Sequence, residues 1–82
     1  MQTISHDLLL ASGIPVVDMK TLGSTLRARR KTLGYTQEDV ASMLSFSPRL
    51  VGDIERGRET VGFGKVLAYA TGLGVDLIAA ER

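Results

Sequence analysis

The chain has 82 residues, 44% of them hydrophobic and 23% charged, with no cysteine, one histidine and a formal net charge of +1. That length holds one domain near the lower end of what a single core stabilises, so help from oligomerisation is expected. The composition excludes a disulfide framework, a thiolate metal site and a cysteine nucleophile, fits a reducing cytoplasm, and offers no apolar run of the roughly 18 residues a membrane span needs.

Residues 1 to 17 read as an arm, separate from a domain over 18 to 82. Leu8, Leu9 and Leu10 suit a short helix between Ser5 and Ala11, but three adjacent leucines cannot share one helical face. Some of that surface needs cover, expected from the domain's own core, with another subunit or a partner as the alternative. Pro15 disfavours helix at Ile14. The segment Met1 to Ile14 lacks a basic stretch ahead of its apolar run and makes a poor signal peptide. His6, outside any carboxylate cluster, is expected to be a solvated surface residue.

Asp18 is a suitable N-cap for a first helix from Met19 to about Leu33, with Gly34 just past its end. Its inward stripe is Leu22, Leu26, Arg30 and Leu33. Thr36 caps a second helix from about Gln37 to Leu44, with Asp39 in a capping-box-like position and Val40, Ala41 and Leu44 inward. Ser45, Phe46 and Ser47 separate it from a third helix, capped by Ser47 with Pro48 at its first position and running to Gly57. Leu50, Val51 and Ile54 give that helix an inward stripe, and Glu55 follows on the same side.

Two helices this short cannot each bury a face alone and must cross on a shared core, leaving the outer face of the second free. That spacing points to DNA. Arg30 and Glu55 are opposite charges that both face the core. An unpaired buried charge costs several kcal/mol, so a hydrogen-bonded pair locking the first helix to the third is expected.

Glu59 and Thr60 open a fourth helix, from about Val61 to Leu73, with Val66, Leu67, Ala70 and Leu73 inward and Gly62 and Gly64 weakening its first turn. Val75, Leu77 and Ala79 then alternate with Asp76 and Ile78, the pattern of a strand. A lone strand leaves its backbone groups unpaired, so residues 75 to 79 are expected to pair with the same strand of a second copy, making a symmetric dimer. Charge is unevenly placed. From Met19 onward ten basic residues face seven acidic ones, net +3, with Arg27, Arg29, Arg30 and Lys31 close together. This favours an anionic partner modestly.

The run LRARRKTLGYTQEDVA followed by SFSPRLVGDIERGR resembles the Xre/Cro-type helix-turn-helix family over about Leu22 to Leu73, through its Gly-Tyr-Thr-Gln opening, the apolar register across the turn and the Ile54-Glu55-Arg56-Gly57 exit. The resemblance implies a mainly α fold, a lambda-repressor-like bundle of four to five helices, with the short C-terminal strand pairing across the dimer. The ERGRETVGFGKVLAYATGLGVDL continuation further resembles HipB-type antitoxins, dimers that repress their own operon and bind a HipA-type kinase toxin. Gly52 departs from the family, many members having serine or a longer polar residue there. Its two readings are close packing against a neighbouring backbone and close approach to DNA.

On this reading the outer face of the third helix enters the major groove. Arg49 is the main base reader, its fork matching guanine O6 and N7, with Asp53 accepting from cytosine or holding Arg49, and with Pro48 and Gly52 alongside. Thr36, Gln37, Ser47, Arg56 and Arg58 are the candidate phosphate contacts. The Arg27, Arg29 and Lys31 cluster is expected to act at long range. Val75, Leu77, Ile78 and Ala79 would carry dimerisation. The expected partner is double-stranded DNA bearing an inverted repeat, with half-sites about 34 Å apart. The expected location is the cytoplasm, on the nucleoid.

The alternatives are a phage-type repressor or restriction–modification controller without a toxin, and a toxin-binding interaction module with weak DNA binding. An enzyme is not expected. Besides the missing cysteine and the peripheral His6, the chain shows no metal-spaced cluster and no phosphate-cradling glycine loop after a strand, and no cofactor is implied.

Overall fold

The computed structural model describes residues 13 to 82, so the expectations for Leu8 to Leu10 and for His6 lie outside the described residues. Among the described residues four helices follow in order: α1 (Met19–Thr32), α2 (Gln37–Leu44), α3 (Pro48–Glu55) and α4 (Phe63–Gly72). None of the described helices is long and apolar enough to cross a membrane.

The helix starts are set by side chains that satisfy otherwise orphaned N–H groups. The Thr21 amide donates to Asp18 Oδ1 at 2.7 Å, and that bond holds the Asp18 carboxyl below its ordinary range. At α2, Asp39 N donates to Thr36 Oγ1 at 3.0 Å and Thr36 N donates back to Asp39 Oδ2 at 2.8 Å, a full capping box. Ser47 Oγ accepts from Leu50 N at 3.1 Å, with Pro48 at the first helical position of α3. All four helices end in the same left-handed turn, supplied by Gly34, Gly57 and Gly74 and, between α2 and α3, by Ser45 at φ 57°. In each, the following amide reaches back to the helix, as Phe46 N does to Ala41 O at 2.9 Å.

The core draws on every helix: Leu22 and Leu26 from α1, Val40 and Ala41 from α2, Val51 and Ile54 from α3, Val66, Tyr69 and Ala70 from α4, and Leu73 just beyond it. Leu26, Val40, Val51, Ile54, Val66 and Tyr69 are fully buried. Each such aliphatic side chain contributes about 1.5–3 kcal/mol relative to exposure. Two glycines let backbones touch. A Cβ at buried Gly23 would meet the carbonyl oxygens of Ile54 and, at 2.7 Å, Glu55. A Cβ at Gly57 would meet Lys20 N at 2.7 Å. The first turns of α1 therefore lie directly on the exit from α3.

Several sequence expectations are corrected. Leu33 is 38% exposed, because α1 ends at Thr32 and the chain turns away before that position faces the core. The start of α4 falls at Phe63: Glu59 and Thr60 lie in turns, and Gly62 occupies the N-cap without a side-chain hydrogen bond. Leu67 is 41% exposed and Tyr69 takes the inward place, so the buried stripe is Val66, Tyr69, Ala70 and Leu73. The strand expected over 75 to 79 is not formed. Residues 75 to 82 have no regular structure, because a strand exists by its ladder and the described chain supplies no second strand. Instead Val75 N donates to Ala70 O at 2.8 Å, Val75 and Leu77 pack against the core, and Ile78 is exposed.

Candidate nucleic-acid interface

The turn Ser45 to Ser47 sets α3 across α2, with Val40 and Ala41 of one and Val51 and Ile54 of the other meeting in the core. This leaves Pro48, Arg49 and Arg56 exposed, with Asp53 half-buried, on a face of α3 that carries no core residue. Arg49, in the first turn, pairs with no carboxylate among the described residues. Asp53 does not hold Arg49. Its Oδ1 accepts from Arg56 Nη2 at 2.6 Å and lies 3.5 Å from Arg58 Nη1. The Arg56 hydrogen bond foremost keeps the Asp53 carboxyl below its ordinary range, and hence charged. Gly52 is buried, yet no neighbouring backbone presses on it. The nearest atoms to a Cβ there would be the guanidinium of Arg56, Nη1 at 3.0 Å.

Thr36 and Ser47 are exposed, and each hydroxyl oxygen accepts from a backbone amide, which leaves its own proton to donate outward. The same ends carry N–H groups that the helices leave unpaired and the positive end of each helix dipole, a setting suited to phosphate. Gln37 is half-buried and turned inward in part, its Nε2 donating to Glu55 Oε1 at 3.2 Å. An amide nitrogen has two protons, so one remains for another acceptor.

Glu55 joins all four helices. Arg30 donates to it twice, Nε to Oε2 at 2.7 Å and Nη2 to Oε1 at 3.0 Å. Arg30 Nη1 also donates to Tyr35 O at 2.9 Å, fixing the α1–α2 connection. The Tyr69 hydroxyl donates to Oε2 at 2.7 Å from α4. Burial pushes the Glu55 carboxyl upward, but the hydrogen bonds from Arg30, Tyr69 and Gln37 outweigh it, and the net direction is down. For Tyr69, burial and the neighbouring carboxylate both raise the phenol, which stays a donor. Sequence reasoning missed Tyr69. The signal was its place at i+3 from Val66 and i−4 from Leu73, together with the need of a buried tyrosine for a hydrogen-bond partner.

The cationic cluster of α1 is divided by the fold. Arg29 Nε donates to Leu73 O at 2.8 Å and so caps the end of α4. Arg27 Nε stands 4.0 Å from Glu55 Oε1 with its side chain half exposed, while Lys31 is exposed. Of the four cations, Arg29 and Arg30 are thus committed to structure. The dimerisation candidates Val75 and Leu77 are half-buried, and Ile78 and Ala79 are exposed. Ile78 and Leu77 line an apolar groove of about 970 Å³ with Ile14, Val17, Met19 and Phe63.

Comparison with known proteins bears on this geometry. A family model described as a helix-turn-helix domain matches residues 21–82. An uncharacterised helix-turn-helix-type transcriptional regulator of Bacillus subtilis strain 168, YazB, is 51% identical over 35 residues, 43% of this chain and 51% of that protein. The chain thus spans about half the length of that curated relative. The fold is similar to that of HipB in a complex with an O4 20mer, at a TM-score of 0.77, covering 84% of this chain and 97% of that one, with 12% identity. The crystal structure of the restriction-modification controller protein C.AhdI from Aeromonas hydrophila is similar at a TM-score of 0.63 and 31% identity, over 74% of this chain and 92% of that one. The chain belongs to the helix-turn-helix domain family.

Proposed function

We propose that the protein acts by binding rather than catalysis, as a dimeric repressor that reads an inverted-repeat operator through α3 and serves as the antitoxin of a HipBA-like operon, holding a kinase toxin. The observation that carries the DNA-reading part is the exposed face of α3, where Arg49 has no carboxylate partner among the described residues, beside the two capped helix ends at Thr36 and Ser47. Pairing through residues 75 to 79 is supported by the groove that Leu77 and Ile78 share with Ile14, Val17 and Phe63. Ile14 is 65%, Val17 81% and Ile78 63% exposed, apolar area that a second copy would remove from water. The antitoxin setting is supported by the fit to HipB over nearly the whole of that chain.

A restriction–modification controller is the second reading, favoured by the 31% identity to C.AhdI. Binding to duplexes from the region upstream of the protein's own gene tests the shared part. Affinity should fall with salt at a slope of about −0.9 per phosphate neutralised. Arg49→Ala should relax sequence preference, while Gln37→Ala should weaken binding to all sequences alike. Salt-insensitive binding, or two variants that lose affinity with unchanged preference, would refute this division of labour. Co-purification with a kinase-like neighbour separates the antitoxin from the controller.

A further inference from the structure

We propose that Arg56 is a second base-reading residue, aimed across Gly52 and braced by Asp53, with guanine in the major groove as its target. The assignment rests on the DNA-reading function above. Arg56 is the C-cap of α3, a position from which a simple phosphate contact at the helix end would be expected. Its side chain does not extend outward from that end. Helical side chains lean toward the N-terminus, so a long one covers the surface one turn earlier. Here the guanidinium lies against Gly52, with Nη1, Nη2 and Cζ at 3.0, 3.5 and 3.6 Å from where a Cβ would stand. The fork is thereby brought to the middle of the helix, on the face that carries Arg49 at i−7.

The fork is also oriented. Arg56 Nη2 donates to Asp53 Oδ1 at 2.6 Å, and the Arg56 side chain remains 66% exposed while that of Asp53 is 15% exposed. One donor is engaged by the brace, and the others of the planar fork stay available for a bidentate contact to O6 and N7. A charged aspartate beside the arginine opposes a phosphate but costs little facing a base edge, where it holds the fork in one geometry. The absence of a side chain at Gly52 has the same logic: it clears the path that the guanidinium takes, at the expense of helix propensity.

Selection from randomised duplexes tests this, with each variant first shown to be folded by its helical melting curve. Arg56→Lys keeps the charge and loses the fork. It should retain the salt slope and non-specific affinity, and lose at least about fivefold in preference for guanine at one position of each half-site. Gly52→Ala should blur the same position by displacing the guanidinium, and Asp53→Asn should do so by loosening the brace. If Arg56→Lys and Gly52→Ala both select the wild-type sequence, Arg56 is a phosphate contact and the assignment is overturned. If the wild-type chain itself selects no sequence, the DNA-reading function fails and takes the assignment with it.

Discussion

The Tyr69 hydroxyl lies 2.7 Å from Glu55 Oε2, so the last helix of the domain holds the carboxylate at the end of α3. Both groups are buried, and the bond is charge-assisted. Tyr69→Phe should keep the fold and lose about 1.5–3 kcal/mol of stability, the usual worth of a hydrogen bond to a charged group. Urea unfolding measures it; a loss below a few tenths of a kcal/mol would show that Arg30 and Gln37 satisfy Glu55 unaided.

Removing either partner of the Arg30–Glu55 pair strands the other in the core. Arg30→Met or Glu55→Met alone should cost about 3–5 kcal/mol, enough to unfold much of a domain this small. The double variant Arg30→Met/Glu55→Met replaces both by apolar groups and should recover most of that loss. A thermodynamic cycle by chemical denaturation reads the coupling directly. Additive losses would contradict the pairing energy inferred from the geometry.

Acid should act on the same carboxylate. Glu55 is depressed in the folded state below its ordinary value of 4.5, so its contribution to stability is complete above that pH and is lost as pH falls through the depressed value. Asp18 and Asp53 are depressed too, but they remain in the Arg30→Met/Glu55→Met variant. The wild type should therefore lose stability more steeply than the double variant below about pH 4.5, as measured by unfolding across a pH series.

Much of this arrangement is legible in the sequence, and the illegible parts share a cause. Arg30 and Glu55 can be found because each interrupts an apolar stripe, and a charge on such a stripe needs an opposite charge. Thr36, Ser47 and the glycine stops act within four residues of themselves, so their spacing displays them. Tyr69 is harder to see. Leu67 and Tyr69 both suit an apolar stripe in α4, and only the packed bundle decides between them. The position of Arg56 depends on where a flexible side chain settles, and the reason for Gly52 appears only with it. Residues 75 to 79 alternate like a strand, yet the pattern says nothing of where a ladder partner would come from.

Glycines in this chain should respond oppositely to alanine according to what lies beside them. At Gly23 an added Cβ would meet the Ile54 and Glu55 carbonyl oxygens, backbone atoms that cannot turn aside, and the change should destabilise by about 1–3 kcal/mol or more. At Gly64, within α4, nothing lies within 4 Å, and alanine should stabilise by about 0.5–1 kcal/mol. Thermal melting of the two variants distinguishes them; shifts of the same sign would mean that backbone entropy dominates at both.

The contact of α1 with the end of α3 through Gly23 and Gly57 has a mechanical consequence. Where helices meet through side chains, rotamer changes let them slide or tilt by small amounts. A joint of backbone on backbone has no rotamers to change, so sliding or tilting of α1 against α3 is resisted there. A domain built this way accommodates an imperfect site only through its exposed side chains. On the DNA-reading function proposed above, the remaining compliance would come from the DNA, and sequences that bend or twist easily toward the α3 face would be favoured at base pairs the protein never touches.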